Sequence, residues 1–254
     1  KNGFVNLEEL KKSIEKDTLA VSIIHGNNEI GTIQDLEAIG KICNEKEIYF
    51  HSDACQSYMK VPIDVKKMNL DLLTLNAHKI HGPKGIGALF VREGVKIEPL
   101  LHGGGHEFGK RSGTVNISGV VGFAEAVKIS SGKDIKEVEL LRNKLIDELL
   151  KIKDVKLNGS REKRLCNNVN VHIKNVEGET LGSYLDSQGI CISTGSACSS
   201  NTKETGHVLR AIGLNDKEVK ECIRLSLSKF NTEKEIDETI EKIKRLIEKL
   251  RVVK

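Results

Sequence analysis

Between residues 18 and 91 the chain alternates short apolar runs with an amphipathic helical stretch, and that alternation leaves few folds open. Apolar runs at 18–24, 48–52, 71–76 and 86–91 read as strands, the first of them buried. A helix is expected over 34–46, with Leu36, Ile39, Ile42 and Cys43 on one face. A short helix over 7–16 opens on Asn6 as N-cap. This order predicts an α/β unit built on a mostly parallel sheet. Residues 102–114, rich in Gly and charge, form a loop, and a helix pattern at 116–130 follows.

The pattern changes after Ser130-Ser131-Gly132, which places a domain boundary near 132. Domains are therefore expected at 1–132 and 133–254. The second opens on a long helix over 134–152 that turns Val138, Leu141, Leu145, Ile146 and Leu149 inward. Strands at 155–158, 167–173 and 222–228 and a helix at 178–188 make it an α+β module. Thr232 and Glu235 have capping-box spacing, and Ile236, Ile240, Ile243, Ile247 and Leu250 mark the buried stripe of the last helix.

Composition excludes several classes. Hydrophobic residues make up 38% and charged residues 30% of the chain, which suits a soluble globular protein. No apolar run approaches the ~18–20 residues needed to cross a bilayer, so no membrane role is expected. The net charge of +4 is spread along the chain and gives no support for nucleic-acid binding. The six cysteines form no CxxC pair and no disulfide framework, and read as reduced thiols of a cytoplasmic protein. Cys43, Cys166, Cys191 and Cys222 are expected to be small buried hydrophobes. Lys1-Asn2-Gly3-Phe4-Val5 carries no initiator Met and no targeting pattern, and reads as the start of a chain cut from a longer one.

The chemistry concentrates in two stretches. In Asn76-Ala77-His78-Lys79-Ile80-His81-Gly82-Pro83-Lys84-Gly85 a strand ends and a lysine opens a glycine-punctuated turn. The C-terminal edge of a parallel sheet is where α/β proteins hold ligands, and Lys79 there is a candidate Schiff-base lysine. Lys84 reads as an ordinary solvated lysine. Asp53, at the end of the preceding strand, suits a protonated pyridine nitrogen, with Gln56 in reach of the ring's phenolic oxygen. Asp53 alone would serve equally as a helix N-cap. His78 and Asn76 can both donate to a phosphate, and a structural role for His78 stays open. The second stretch, Ser193-Thr194-Gly195-Ser196-Ala197-Cys198-Ser199-Ser200, sets a cysteine among small polar residues, which suits a nucleophile on an arm that visits a site and leaves. No Cys or His at ligand spacing makes it a metal site. Asn28 follows the first strand, and Arg224 lies in an apolar strand. An arginine so placed points to solvent, grips a substrate carboxylate, or makes a salt bridge.

These residues resemble the cysteine desulfurases of the NifS/IscS type. The resemblance rests on His25-Gly26-Asn27-Asn28-Glu29-Ile30-Gly31, Asp53-Ala54-Cys55-Gln56-Ser57, His78-Lys79-Ile80-His81-Gly82-Pro83-Lys84-Gly85, His102-Gly103-Gly104-Gly105-His106-Glu107, Arg111-Ser112-Gly113-Thr114, Gly195-Ser196-Ala197-Cys198 and His207-Val208-Leu209-Arg210-Ala211. It implies a fold-type I pyridoxal 5′-phosphate transferase of the class V aminotransferase family. Residues 1–132 would then be the C-terminal part of the large, cofactor-binding domain, and 133–254 the small domain carrying the cysteine loop. It implies conversion of L-cysteine to L-alanine, with the sulfur passed to Cys198 as a persulfide and on to an acceptor or iron–sulfur scaffold protein. It implies a homodimer in which Thr114 reaches the neighbouring subunit's cofactor phosphate. Lys79 would bind the cofactor covalently, Asp53 would pair with the pyridine nitrogen, Gln56 with the phenolic oxygen and His78 with the phosphate. Asn28 and Arg224 would hold the substrate carboxylate. The sequence departs from the family at Asn76, where Ser or Thr is usual, and at the front, where relatives carry the phosphate-binding turn and a histidine that stacks on the cofactor. A non-catalytic piece serving dimer or partner contacts, and a selenocysteine lyase, are the alternatives.

Overall fold

A computed structural model describes residues 2–130, 132–194 and 206–252. The chain forms two compact units, one of Asn6–His25 and Asp35–Ser131, the other of Lys1–Val5, Gly26–Gln34 and Gly132–Lys254.

The first unit contains α1 (Leu7–Ser13), β1 (Ala20–Ile24), α2 (Leu36–Glu45), β2 (Tyr49–Asp53), β3 (Leu72–Asn76), β4 (Gly87–Val91) and α3 (Ile117–Ile129). The Asn6 side chain accepts from the Glu8 and Glu9 amides, the expected N-cap of α1. The strands lie in the order β1-β2-β3-β4; β1, β2 and β3 run parallel, and β4 returns antiparallel to β3. Leu36, Ile39, Ile42 and Cys43 are the buried face of α2, as their spacing predicts. The carboxylate of Asp71 joins the inner strands: it accepts from the Phe50 amide at 2.7 Å and from Arg92 Nε at 2.7 Å. β1 corrects one expectation. It is not buried throughout, because its residues alternate between a covered face and an open one. Val21 is covered, while Ala20, Ser22 and Ile24 are exposed.

The second unit is built from α4 (Gly132–Leu150), β5 (Val155–Leu157), β6 (Asn168–Ile173), α5 (Gly178–Asp186), α6 (His207–Ala211), α7 (Asp216–Lys220), β7 (Cys222–Ser226) and α8 (Glu233–Val252). The three strands form an antiparallel sheet in the order β5-β6-β7. Its core joins Leu145, Ile146 and Leu149 of α4 and Ile236, Ile240, Ile243 and Ile247 of α8 to Val169, Val171 and Ile173 of β6. Alternate residues of a strand face opposite ways. Asn168, Asn170 and His172 therefore line the other face of β6, and they are buried too. The Nδ2 groups of Asn168 and Asn170 donate to the Glu29 carbonyl at 3.1 Å each, and His172 Nε2 meets Glu221 at 2.9 Å. The expected capping box opens α8: the Thr232 amide donates to Glu235 at 2.8 Å, and the Glu235 amide to Thr232 Oγ1 at 3.2 Å.

Cys43, Cys166 and Cys222 are buried, as expected of small apolar residues. Cys191 is not: it lies exposed in the turn after α5, its Sγ 3.6 Å from Asp186 Oδ1. No helix among the described residues is long and apolar enough to cross a membrane. Among the same residues, no cluster of His, Cys, Asp and Glu could hold a metal ion.

Candidate active site

In the first unit, the predicted residues gather at the C-terminal ends of two parallel strands. Asp53 closes β2 and Asn76 closes β3, with Asp53 in register with Thr74. A 3₁₀ turn, His78–Ile80, begins two residues beyond Asn76 and presents His78 and Lys79 as exposed side chains. The turn is anchored on its buried side by Ile80, and the carbonyl before it closes it: the amides of Ile80 and Gly82 both donate to the Ala77 oxygen. The Lys79 amide donates to Asn76 Oδ1 at 3.3 Å, so the side chain that ends the strand also fixes the lysine's backbone. That bond uses one lone pair of Asn76 Oδ1, while the Asn76 side chain also hydrogen-bonds the Cys55 thiol.

Asp53 is half-buried, and its Oδ1 accepts from the Cys55 amide at 2.8 Å. No α-helix follows it, which removes the N-cap reading: residues 55–60 are turns. Burial and the Asp53 carboxylate push the Cys55 thiol up to about 12, so this cysteine stays protonated at neutral pH. Gln56 is half-buried three residues on, and its carbonyl accepts from Lys60 Nζ at 3.0 Å. Desolvation, then the charges of Lys79 and Lys84, lower the pKa of His78. Thr114 is exposed in the loop before α3, and Lys84 is solvated as expected.

The second unit brings Asn28 and Arg224 together. The segment 26–34 folds into a tight loop in which Asn27 Oδ1 accepts from the Glu29 and Ile30 amides at 2.9 Å each. Gly31 sits at φ +73, and a Cβ there would lie 2.5 Å from Asn168 Oδ1, so the position demands glycine. This loop aims the Asn28 carbonyl at Arg224, whose Nη1 donates to it at 3.0 Å. Arg224 Nη2 donates to Ser193 Oγ at 3.1 Å, and its Nε is buried with no hydrogen-bond partner among the described residues. The sequence offered solvent, a substrate anion or a salt bridge for this arginine. The structure gives its Nη groups neutral oxygens as partners, and its charge acts on the carboxylate of Glu29. Glu29 beside it is 2% exposed, and burial raises its pKa. Cys198 lies outside the described residues.

Two further histidines stand beside Asp53. His51 is on the same strand as Asp53, two residues earlier, a spacing that puts both on one face. His25 follows β1, and its amide donates to the Asp53 carbonyl at 2.9 Å. It is 2% exposed, its Nδ1 has no hydrogen-bond partner among the described residues, and burial lowers its pKa from 6.5 to about 4. A histidine held neutral in the fold lets the unfolded chain bind the proton first. Stability is then complete above pH 6.5 and declines as pH falls from 6.5 towards 4. The loss attributable to His25 should reach about 3 kcal/mol. Urea titrations at pH 7 and pH 4.5 should therefore show a smaller acid loss in His25→Leu than in the parent. An equal loss in both would remove His25 as the cause.

The carboxylate, amine and imidazole at the ends of β2 and β3 are the donor set that a phosphorylated pyridine aldehyde needs: a partner for its ring nitrogen, a primary amine, and a phosphate donor. They fit pyridoxal 5′-phosphate. The chain belongs to the class-V aminotransferase family, whose model matches residues 1–239 and whose members work with this cofactor. Among its curated relatives, the cysteine desulfurase IscS of Methanosarcina thermophila is 47% identical over 255 residues, covering 99% of this chain and 63% of that protein. A solved NifS-like protein superposes with a TM-score of 0.87 at 40% identity, covering 97% of this chain and 66% of its own. The structure of SspA in complex with cysteine gives a TM-score of 0.77 at 36% identity, covering 91% and 65%. The fold is thus the fold-type I architecture expected from sequence. The chain spans 63–65% of the length of the first curated relatives it matches.

Proposed function

We propose that the chain is the greater part of a pyridoxal-phosphate cysteine desulfurase that converts L-cysteine to L-alanine and passes the sulfur to Cys198. The observation that carries this reading is the pairing of Asp53 and the His78-Lys79 turn at the ends of adjacent parallel strands. The names of the relatives support it: cysteine desulfurase IscS for the curated protein, and a bound cysteine for SspA.

When bound, the cofactor supplies an electron sink for the bonds around the substrate's α-carbon. Asp53 holds the proton on the pyridine nitrogen, and Gln56 bonds the phenolic oxygen. His78 and the Asn76 amide hold the phosphate, joined by Thr114 from a neighbouring copy in a homodimer. Arg224 and Asn28 bind the substrate carboxylate, with the Nη groups of Arg224 as the donors. Lys79 Nζ takes the α-proton as general base. The Cys198 thiolate attacks the substrate sulfur, the C–S bond breaks with its electron pair left on the β-carbon, a proton goes to that carbon, and Lys79 returns a proton to the α-carbon to complete alanine. Cys198 keeps the sulfur as a persulfide. A cytoplasmic sulfur-acceptor or iron–sulfur scaffold protein would receive it.

Cys198→Ser tests the nucleophile. The variant should keep the absorbance of the bound cofactor and form no persulfide from cysteine. Alanine and sulfide produced at the parent's rate would overturn the assignment. Protein that stays colourless in excess cofactor would leave only a role in dimer or partner contacts. Faster turnover of selenocysteine than of cysteine would turn the reading to a selenocysteine lyase.

A further inference from the structure

We propose that His51 is a positioning residue for Asp53: Ser22 and Thr74 hold its imidazole on the carboxylate's face of the sheet as a neutral ring, so that the carboxylate keeps its charge for the cofactor's ring nitrogen. The inference rests on the reading of Asp53 given above and adds a residue that reading does not use.

The geometry is a polar chain running across three strands. Ser22 of β1 is the register partner of His51 on β2, and its Oγ lies 2.7 Å from His51 Nδ1. His51 Nε2 lies 2.8 Å from Thr74 Oγ1 on β3, and Thr74 is the register partner of Asp53. Ser22, His51, Asp53 and Thr74 thus share one face of the sheet. Both ring nitrogens are engaged by hydroxyls, which donate to one and accept from the other, so a neutral imidazole is fully satisfied. Its surroundings oppose each other: desolvation lowers its pKa, and the charge of Asp53, two residues along the strand, raises it. The groups that reach the ring from β1 and β3 are uncharged hydroxyls, and Asp53 is the charge that acts on it.

A cation at position 51 would share the Asp53 charge and compete with the protonated pyridine nitrogen for it. A neutral imidazole does not. Three polar side chains that merely stitched the strands would give the sheet the same cohesion with no link to Asp53. The two roles separate by experiment.

The first measurement needs no cofactor. The ring signals of His51 are followed by NMR through a pH titration in the parent and in Asp53→Asn. Removing the charge that raises it should move the His51 midpoint to lower pH, and loading the parent with cofactor should move it the same way. Equal midpoints in parent and Asp53→Asn would overturn the proposal. The second measurement uses pyridoxal phosphate labelled with ¹⁵N in the ring. The parent and His51→Gln should show the protonated pyridine shift at neutral pH, and His51→Lys should move towards the unprotonated one. A His51→Lys protein that binds the label with the parent's shift would also overturn the proposal. If no variant, nor the parent, takes up the cofactor, the reading of the site fails, and the first measurement still decides whether His51 answers to Asp53.

Discussion

Replacing Lys79 by alanine is expected to abolish the covalent link to pyridoxal phosphate and to leave proton transfer at the substrate α-carbon slower by about 10²–10⁴-fold. The expectation follows from where the backbone holds this lysine. Its amide is bonded to Asn76 Oδ1, and the turn that carries it starts two residues past the end of β3, so the side chain leaves from the sheet edge where Asp53 stands. Lys84 lies beyond Pro83 in a separate turn, further from the end of β3. Borohydride reduction of the loaded protein followed by peptide mass analysis checks this. The parent should carry the cofactor mass on the peptide containing Lys79, Lys84→Ala should carry it at the same place, and Lys79→Ala should carry none. A cofactor mass on Lys84 in the parent would displace Lys79 from its role.

Much of this arrangement was legible in the sequence, because the signals are local. The apolar face of α2, the stripe of α8 and its capping box depend on residues three and four apart. So does the lysine at a strand end before a glycine turn. What the sequence did not show depends on register and on distance along the chain. Nothing near Glu29 reveals that its carbonyl is bonded to amides 139 and 141 residues away, which hold the loop 26–34 in the C-terminal unit. The link of His51 to Ser22 and Thr74 spans 29 and 23 residues and needs the register of three strands. The helices α6 and α7 have five residues each, too short to show a period. Cys191 was misread because composition says that cysteines are buried, and only the turn after α5 says that this one is not. The sequence does carry one signal of this link: His51 and Asp53 are two apart on a predicted strand, which places an imidazole on the face of the carboxylate.

Gly40 gives the largest expected effect on stability at neutral pH. It sits in the middle of α2, where glycine should cost about 1 kcal/mol relative to alanine. By propensity alone, Gly40→Ala would stabilise the helix. The packing reverses the sign. A Cβ at this position would lie 1.9 Å from the Met68 carbonyl oxygen and 3.3 Å from Phe50 Cδ1. The obstacle is backbone, and it cannot swing aside as a side chain would. Met68 belongs to a hydrogen-bonded turn in which its own amide donates to Asp64 and the Leu70 amide donates to Val65. On the other side, Phe50 is fully buried in β2. Relief therefore requires α2 to lift off the sheet, which loosens the packing of Leu36 and Ile39, each 1% exposed. The net loss should be about 3 kcal/mol, read as a lower urea midpoint with an unchanged slope. Because β2 ends in Asp53, a lifted helix should also weaken cofactor binding in the folded variant. Gly40→Ala with a midpoint equal to or above the parent's would show that the helix yields at no cost and that the close approach is incidental.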